Sequence, residues 1–287
     1  MSPEEAKAAL AWLVEMGADE VTGDHPIDRF AASAPKLALP RMEPTATAPD
    51  SLEVKPDPNA PSLFPEIQGQ TGRPAGKPLA LGDGVADART LAASCNTLED
   101  IVAALRNFDA CPLKKTATNL CFSDGNPRAH VMLIGEAPGR DEDIQGKPFV
   151  GRAGQLLDKM LAAINLSRTS PDPESSVFIT NTVFWRPPGN RTPTEAETSM
   201  CMPFLARTIE ILEPRLIVCL GATPTQRLTG RTDGILKLRG KWLSHNAGGR
   251  SIPLLPTLHP AYLLRQPSQK RLSWRDLLSL REALDAH

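Results

Sequence analysis

Several features that would assign this 287-residue chain to a broad class are scarce or missing. Aromatic residues make up only 5%, with a single tyrosine, so a core drawn from the 41% hydrophobic residues has to be mainly aliphatic. The five cysteines, Cys95, Cys111, Cys121, Cys201 and Cys219, form an odd set with no Cys-x-x-Cys pair. That excludes the even, closely spaced framework of a small secreted domain and leaves reduced, buried thiols as the expectation. No uninterrupted apolar run approaches the ~20 residues of a membrane-spanning helix, and the opening MSPEEAKAALAWLVEMGADE is acidic and amphipathic rather than leader-like. An intracellular, cytoplasmic protein without membrane contact is expected. A surplus of one charge is missing too, since the formal net charge is -1, but the balance is uneven along the chain. Residues 1–100 hold 8 Lys and Arg against 16 Asp and Glu, whereas residues 191–287 hold 14 against 8. The basic C-terminal third is suited to a polyanion.

What is present divides the chain into three. Residues 1–20 carry helical apolar spacing, with Ser2 placed as N-cap and Pro3 at the first helical position. Residues 21–90 are rich in Pro, Ala, Asp and Gly, too poor in apolar surface to offset chain entropy, and read as a disordered linker. Residues 91–287 alternate helical patterns with the strand-like runs HVMLIG, SVFITN, RLIVCLG and SIPLLPT. This predicts an α/β fold in three layers, α/β/α, around a four-stranded parallel sheet. Ligands of such folds bind beyond the carboxyl ends of the strands. The unusual residues gather at that edge: Gly135 and Glu136 after the first run, Asn181 after the second, Gly221 after the third, and Thr257-Leu258-His259-Pro260 after the fourth. Between the first strand and its helix runs GEAPGRDEDIQGKPFVGRAG, a connection long enough to imply a task of its own.

Those residue types suit the recognition and release of a pyrimidine. The amide of Asn181 offers an acceptor beside two donors, complementary to the N–H and C=O edge of uracil, which cytosine reverses. Phe149 can lie against a base. His259 can donate to a carbonyl oxygen that gains negative charge as a base departs, and Glu136 or Glu142 can orient water or stabilise a sugar cation.

The segments GEAPGRDEDIQGKPFVGRAGQLLD, ITN, RPPGNRTPTEAE, LGATPTQRL and TLHPAYLLRQP, in that order, resemble the family 4 uracil-DNA glycosylases over roughly residues 98–285. The resemblance implies a flipped uracil in a strand-end pocket and hydrolysis of the base from DNA, releasing uracil. It places Gly135, Ala137, Phe149 and Asn181 around the base, and Glu136, Glu142 and His259 at the chemistry. Arg152, Asn190, Arg191, Leu263, Leu264 and Arg265 then face DNA, with Leu263, Leu264 and Arg265 as the wedge that fills the vacated stack. A monomer is expected, with residues 1–20 free to dock a repair or replication protein. The other reading is a protein that binds or covalently traps uracil-DNA without turnover.

Two departures from the family stand out. Family 4 members hold a [4Fe-4S] cluster on four cysteines, at positions that read Phe108, Cys111, Trp185 and Cys201 here. Two thiolates do not complete a four-ligand cluster, so no metal and no cofactor is expected, with Phe108 and Trp185 packing in its volume. Compared with family 1 members, Ala137 stands where a water-activating Asp would be, and Gly139 where a bulky Tyr blocks the thymine methyl.

Overall fold

The structure is a computed structural model that describes residues 81–286. The helix expected over residues 1–20 and the linker up to residue 80 lie outside the described residues. Two helices open the described chain, α1 (Leu81–Ser94) and α2 (Leu98–Asn107), the second held at its start by a capping box between Thr97 and Asp100. There follow β1 (Ser123–Gly125), β2 (Val131–Gly135), α3 (Arg140–Gln145), α4 (Arg152–Ala162), β3 (Val177–Asn181), α5 (Glu195–Leu212) and β4 (Leu216–Leu220). The chain ends with α6 (Ala222–Thr229), α7 (Ile235–Leu238), β5 (Leu243–Ala247), β6 (Arg250–Thr257), α8 (Pro260–Arg265) and α9 (Lys270–Asp285).

The strands form one sheet in the order β1-β3-β2-β4-β6-β5. β3, β2, β4 and β6 are parallel neighbours, as expected, and the two edges are antiparallel additions. The sheet therefore has six strands rather than four. The extra pair escapes a sequence reading because β1 is the polar tripeptide SDG, and β5, LSHNA, is nowhere fully buried. The parallel strands β2, β3 and β4 are buried along their whole length, which is why they read as continuous apolar runs.

Side-chain alternation divides the core into two layers. Met132, Ile134, Ile217 and Cys219 face a cluster shared with Ile101, Leu105 and Phe204 of α2 and α5. Val131, Leu133, Leu216 and Val218 face another, shared with Leu157 and Leu161 of α4 and Leu277 and Leu280 of α9. Period-two strands with helices on each side give the three layers directly.

The expected linker boundary near residue 90 falls inside α1. Ala88 and Ala92 of that helix are buried, and a Cβ on Gly84 would meet Ala110 and Met200 at 3.2 Å. Small residues let α1 lie close to α5, so the helix is made by tertiary contact although its Gly, Ala and Asp composition continues that of the linker.

Candidate active site

The carboxyl ends of the parallel strands converge on one cleft. Gly135, the last residue of β2, pairs in register with Asn181, the last of β3, and His259 follows two residues after β6 ends. A cavity of about 500 Å³ opens there, lined by Glu136, Ala137, Phe149, His259, Tyr262 and Arg265 among others.

Asn181 sits at the floor, 1% exposed, and among the described residues neither its Oδ1 nor its Nδ2 has a hydrogen-bond partner. Buried amides are nearly always satisfied, so one with both ends open calls for an external partner. The amide does not itself line the open cleft; it lies deeper, next to the Phe149 ring. A Cβ on Gly135 would stand 2.4 Å from Asn181 Oδ1 and 2.5 Å from Phe149 Cζ, so only glycine lets the amide and the ring meet above the strand end. The Phe149 ring in turn lies 5.5 Å from the His259 ring, at 31° between planes. Phe149 and His259 thus line the cleft, and Asn181, equally distant in sequence, lies buried beneath the Phe149 ring.

His259 caps α8. Its Nδ1 accepts the Ala261 backbone N–H at 3.1 Å, which places the proton of the neutral ring on Nε2. Burial pushes its pKa down to about 4, with the Arg265 cation adding to the effect. The imidazole is therefore a neutral donor at physiological pH.

Phe149 adopts a left-handed backbone, φ 55°, unusual for an aromatic residue. Arg168 holds it there: Nη2 donates to the Phe149 carbonyl at 2.9 Å and Nη1 to the Pro148 carbonyl at 3.1 Å, while Nε is bound to Asp158 at 2.8 Å. Gly154 completes the seat, since a Cβ there would fall 1.8 Å from the Phe149 oxygen. Sequence reasoning missed Arg168, an unremarked cation in the loop before β3; the one trace of it was a glycine within α4 that no helix requires. Arg168→Gln is expected to cost about 2 kcal/mol of stability, from lost charged hydrogen bonds. It also weakens base stacking, so kcat/KM falls while Arg168→Lys recovers part of it; denaturant titration and steady-state rates check both.

Glu142 is a brace. One oxygen accepts the Val150 and Gly151 N–H groups, both at 2.9 Å, and the other accepts Gly139 N–H at 3.1 Å. The carboxylate thereby joins the GEAPG turn to the turn that carries Phe149. A Cβ on Gly139 would sit 2.7 Å from Glu142 Oε2, which accounts for glycine at that position. Glu136 differs: its carbonyl is locked by Thr182 Oγ1 at 2.7 Å and Val183 N–H at 3.2 Å, and its carboxylate has no hydrogen bond among the described residues.

Residues 122–278 match the uracil DNA glycosylase superfamily. The chain belongs to that superfamily. It is 40% identical over 196 residues to the type-4 uracil-DNA glycosylase of Saccharolobus solfataricus, covering 67% of this chain and 88% of the relative. Identity is also 40% over 175 residues with the type-4 uracil-DNA glycosylase of Archaeoglobus fulgidus (60% and 85% covered), and over 177 residues with that of Thermotoga maritima (60% and 86%).

As a uracil DNA glycosylase superfamily member, the chain departs from expectation at its outer residues. Leu263 is 1% exposed and held in the protein, so it is no wedge; Leu264 at 37% and the exposed Arg265 remain available. On the one and a half turns of α8 only one of two adjacent leucines can face inward. Arg191 is committed to Glu197 through two hydrogen bonds of 2.8 and 2.6 Å, and its guanidinium holds the Glu197 carboxyl down at about 2. It thus ties the Pro187–Arg191 turn to the start of α5, rather than presenting a free cation to phosphate. Asn190, φ 56°, accepts Arg186 Nε at 2.7 Å and lines the cleft. Arg152 stands exposed at the start of α4.

The four positions that hold a cluster in family 4 lie in the other core layer. Phe108 packs on Phe204 (centroids 5.3 Å apart) and Trp185 on Phe184 (6.4 Å), both edge-on. Cys111 and Cys201 are buried neighbours; a hydrogen bond from Cys201 lowers the Cys111 thiol, while that same pairing, with burial, raises Cys201. Ring carbons offer no ligand, and among the described residues no group of three or more His, Cys, Asp or Glu could hold a metal. The residues present do not fit the cluster. No described helix is long and apolar enough to cross a membrane.

Proposed function

We propose that this chain excises uracil from DNA, hydrolysing the N-glycosidic bond of an extruded nucleotide to leave an abasic site, and that it does so without an iron-sulfur cluster. The observation that carries the reading is the unpartnered Asn181 amide beside Phe149 and a neutral His259.

The uracil slides against the Phe149 ring. Asn181 Oδ1 accepts the N3–H of the base and Nδ2 donates to O4, so each buried polar atom gains the partner it lacks. Cytosine offers an acceptor at N3 and a donor at C4 and leaves both contacts opposed. As the C1′–N1 bond breaks, its electron pair passes to the base and charge gathers on O2. His259 Nε2–H donates to that oxygen, a contact that strengthens as the charge develops. The sugar becomes oxocarbenium-like, a water adds its oxygen to C1′ and loses a proton to solvent, and the departed uracil anion takes up a proton from solvent at N1. Glu136 is the carboxylate that orients this water, because Glu142 has spent its oxygens on backbone N–H groups. Phe108 and Trp185 fill with apolar packing the volume that a cluster would take.

The test is a labelled oligonucleotide bearing one uracil, incubated with the protein and then treated with alkali, alongside iron and acid-labile sulfide assays on anaerobically purified protein. Strand breakage at uracil alone, with substoichiometric iron, is expected. An intact strand, or a protein–DNA adduct surviving denaturing electrophoresis, overturns the excision reading; stoichiometric iron and sulfide overturn the cluster-free one.

A further inference from the structure

Helix α9 buries Ser273, Asp276, Leu277 and Leu280 and leaves a stripe of Arg271, Trp274, Arg275 and Leu278 in solvent, at helical spacings of three and four. Trp274 is 43% exposed and Leu278 41%. Beside the stripe lies Trp242, 37% exposed, its indole N–H donating to Ser279 Oγ at 3.0 Å, with Lys241 exposed next to it. Two of the chain's four tryptophans are thus displayed on one basic face.

The cations of that face are uncommitted. Arg271, Arg275 and Lys241 make no ion pair and no side-chain hydrogen bond among the described residues, whereas nearby Arg239 is bound to the buried Asp276 and to the Leu272 carbonyl at 2.8 Å. Arg239 fastens the 239–242 segment across α9 and so fixes where Trp242 stands.

The helix and loop that carry this face are anchored at the cleft's edge of the sheet. Gly240 N–H donates to the Pro256 carbonyl at 2.9 Å, and Thr257 Oγ1 donates to Asp276 at 2.7 Å, both at the strand end from which His259 emerges. Free cations around displayed indoles match a ligand that combines phosphates with π-faces. An acidic peptide would use the cations but leave the tryptophans without stacking partners.

We infer that the α9 face, with Trp242, is a second DNA contact that grips the strand flanking the extruded nucleotide, outside the cleft. The inference rests on the uracil-DNA reading of the cleft. Arg271 and Arg275 neutralise phosphates, and Trp274 stacks on a base or sugar.

The test compares the full-length protein with the triple variant Arg271→Gln/Trp274→Ala/Arg275→Gln, using fluorescein-labelled single-stranded and duplex oligonucleotides that contain no uracil, across a salt series. These side chains are exposed, and an unchanged thermal melt confirms the fold. The variant is expected to bind about tenfold more weakly, with the log–log salt slope smaller by about 1.5. Quenching of tryptophan emission by DNA should fall in Trp274→Phe alone. Uracil release at saturating protein should be unchanged. Equal affinity and slope in the two proteins, or no measurable binding of undamaged DNA by the wild type, overturns the inference. If undamaged DNA binds as described but uracil is never released, the reading of the cleft fails and the α9 contact stands.

Discussion

Replacing His259 with alanine is expected to slow uracil release about 10²–10³-fold in single-turnover assays, the scale of a lost oxyanion donor. The size follows from the tautomer: with Nδ1 accepting from Ala261, the only proton of the neutral ring is on Nε2, available to the leaving base. The same substitution removes a helix cap, worth about 1 kcal/mol, so the rate should collapse while the fold persists. The pH dependence gives an independent reading. Burial lowers the imidazole from its usual 6.5 to about 4, so the neutral donor persists across that interval. The acid limb of kcat/KM attributable to His259 should lie near 4 and be absent from His259→Ala. Stability moves in the direction that linkage requires: above 6.5 the ring is neutral whether folded or not, and as pH falls towards 4 the unfolded chain takes up the proton first, so stability is lost. An unchanged single-turnover rate in His259→Ala would remove His259 from the chemistry.

The parts of the molecule that were legible in sequence are those fixed by short-range pattern. VMLIG, VFITN and LIVCL announce buried parallel strands because both faces are covered; Asn181 and His259 stood out because they punctuate strand ends, and Phe149 because it sits in an over-long connection between strand and helix. What stayed hidden depends on partners distant in sequence. SDG becomes a strand only because β3 lies alongside it, and α1 becomes a helix because α5 accepts its alanines. A carboxylate opening a helix looks the same whether it faces water or three backbone N–H groups, and so Glu142 and Glu136 were not separable by sequence. Arg191 reads as a free cation until Glu197 is seen to reach back to it. Arg168 reads as nothing at all, although it holds the backbone under the stacking ring.

Asn181→Asp is expected to lower uracil excision at least about a hundredfold and to shrink the preference for uracil over cytosine. The carboxylate keeps an acceptor but loses the donor to O4, so a hydrogen bond becomes a lone-pair repulsion in a site already closed to water, and the penalty of a buried charge without a partner is added. Towards cytosine the new acceptor faces an amino donor, so what uracil loses cytosine partly regains. Asn181→Leu separates reading from folding. Both amide atoms are buried without a partner among the described residues, and an unmet buried polar atom costs about 1–3 kcal/mol. An apolar side chain of similar volume relieves that cost, so Asn181→Leu should be as stable as the wild type or more so, yet inactive. Excision of uracil and cytosine from matched oligonucleotides, with denaturant melts of both variants, provides the comparison. Full uracil preference in Asn181→Asp would mean that another group reads the base. Marked destabilisation of Asn181→Leu would mean that the amide already has partners in the free protein and is not held open for a base.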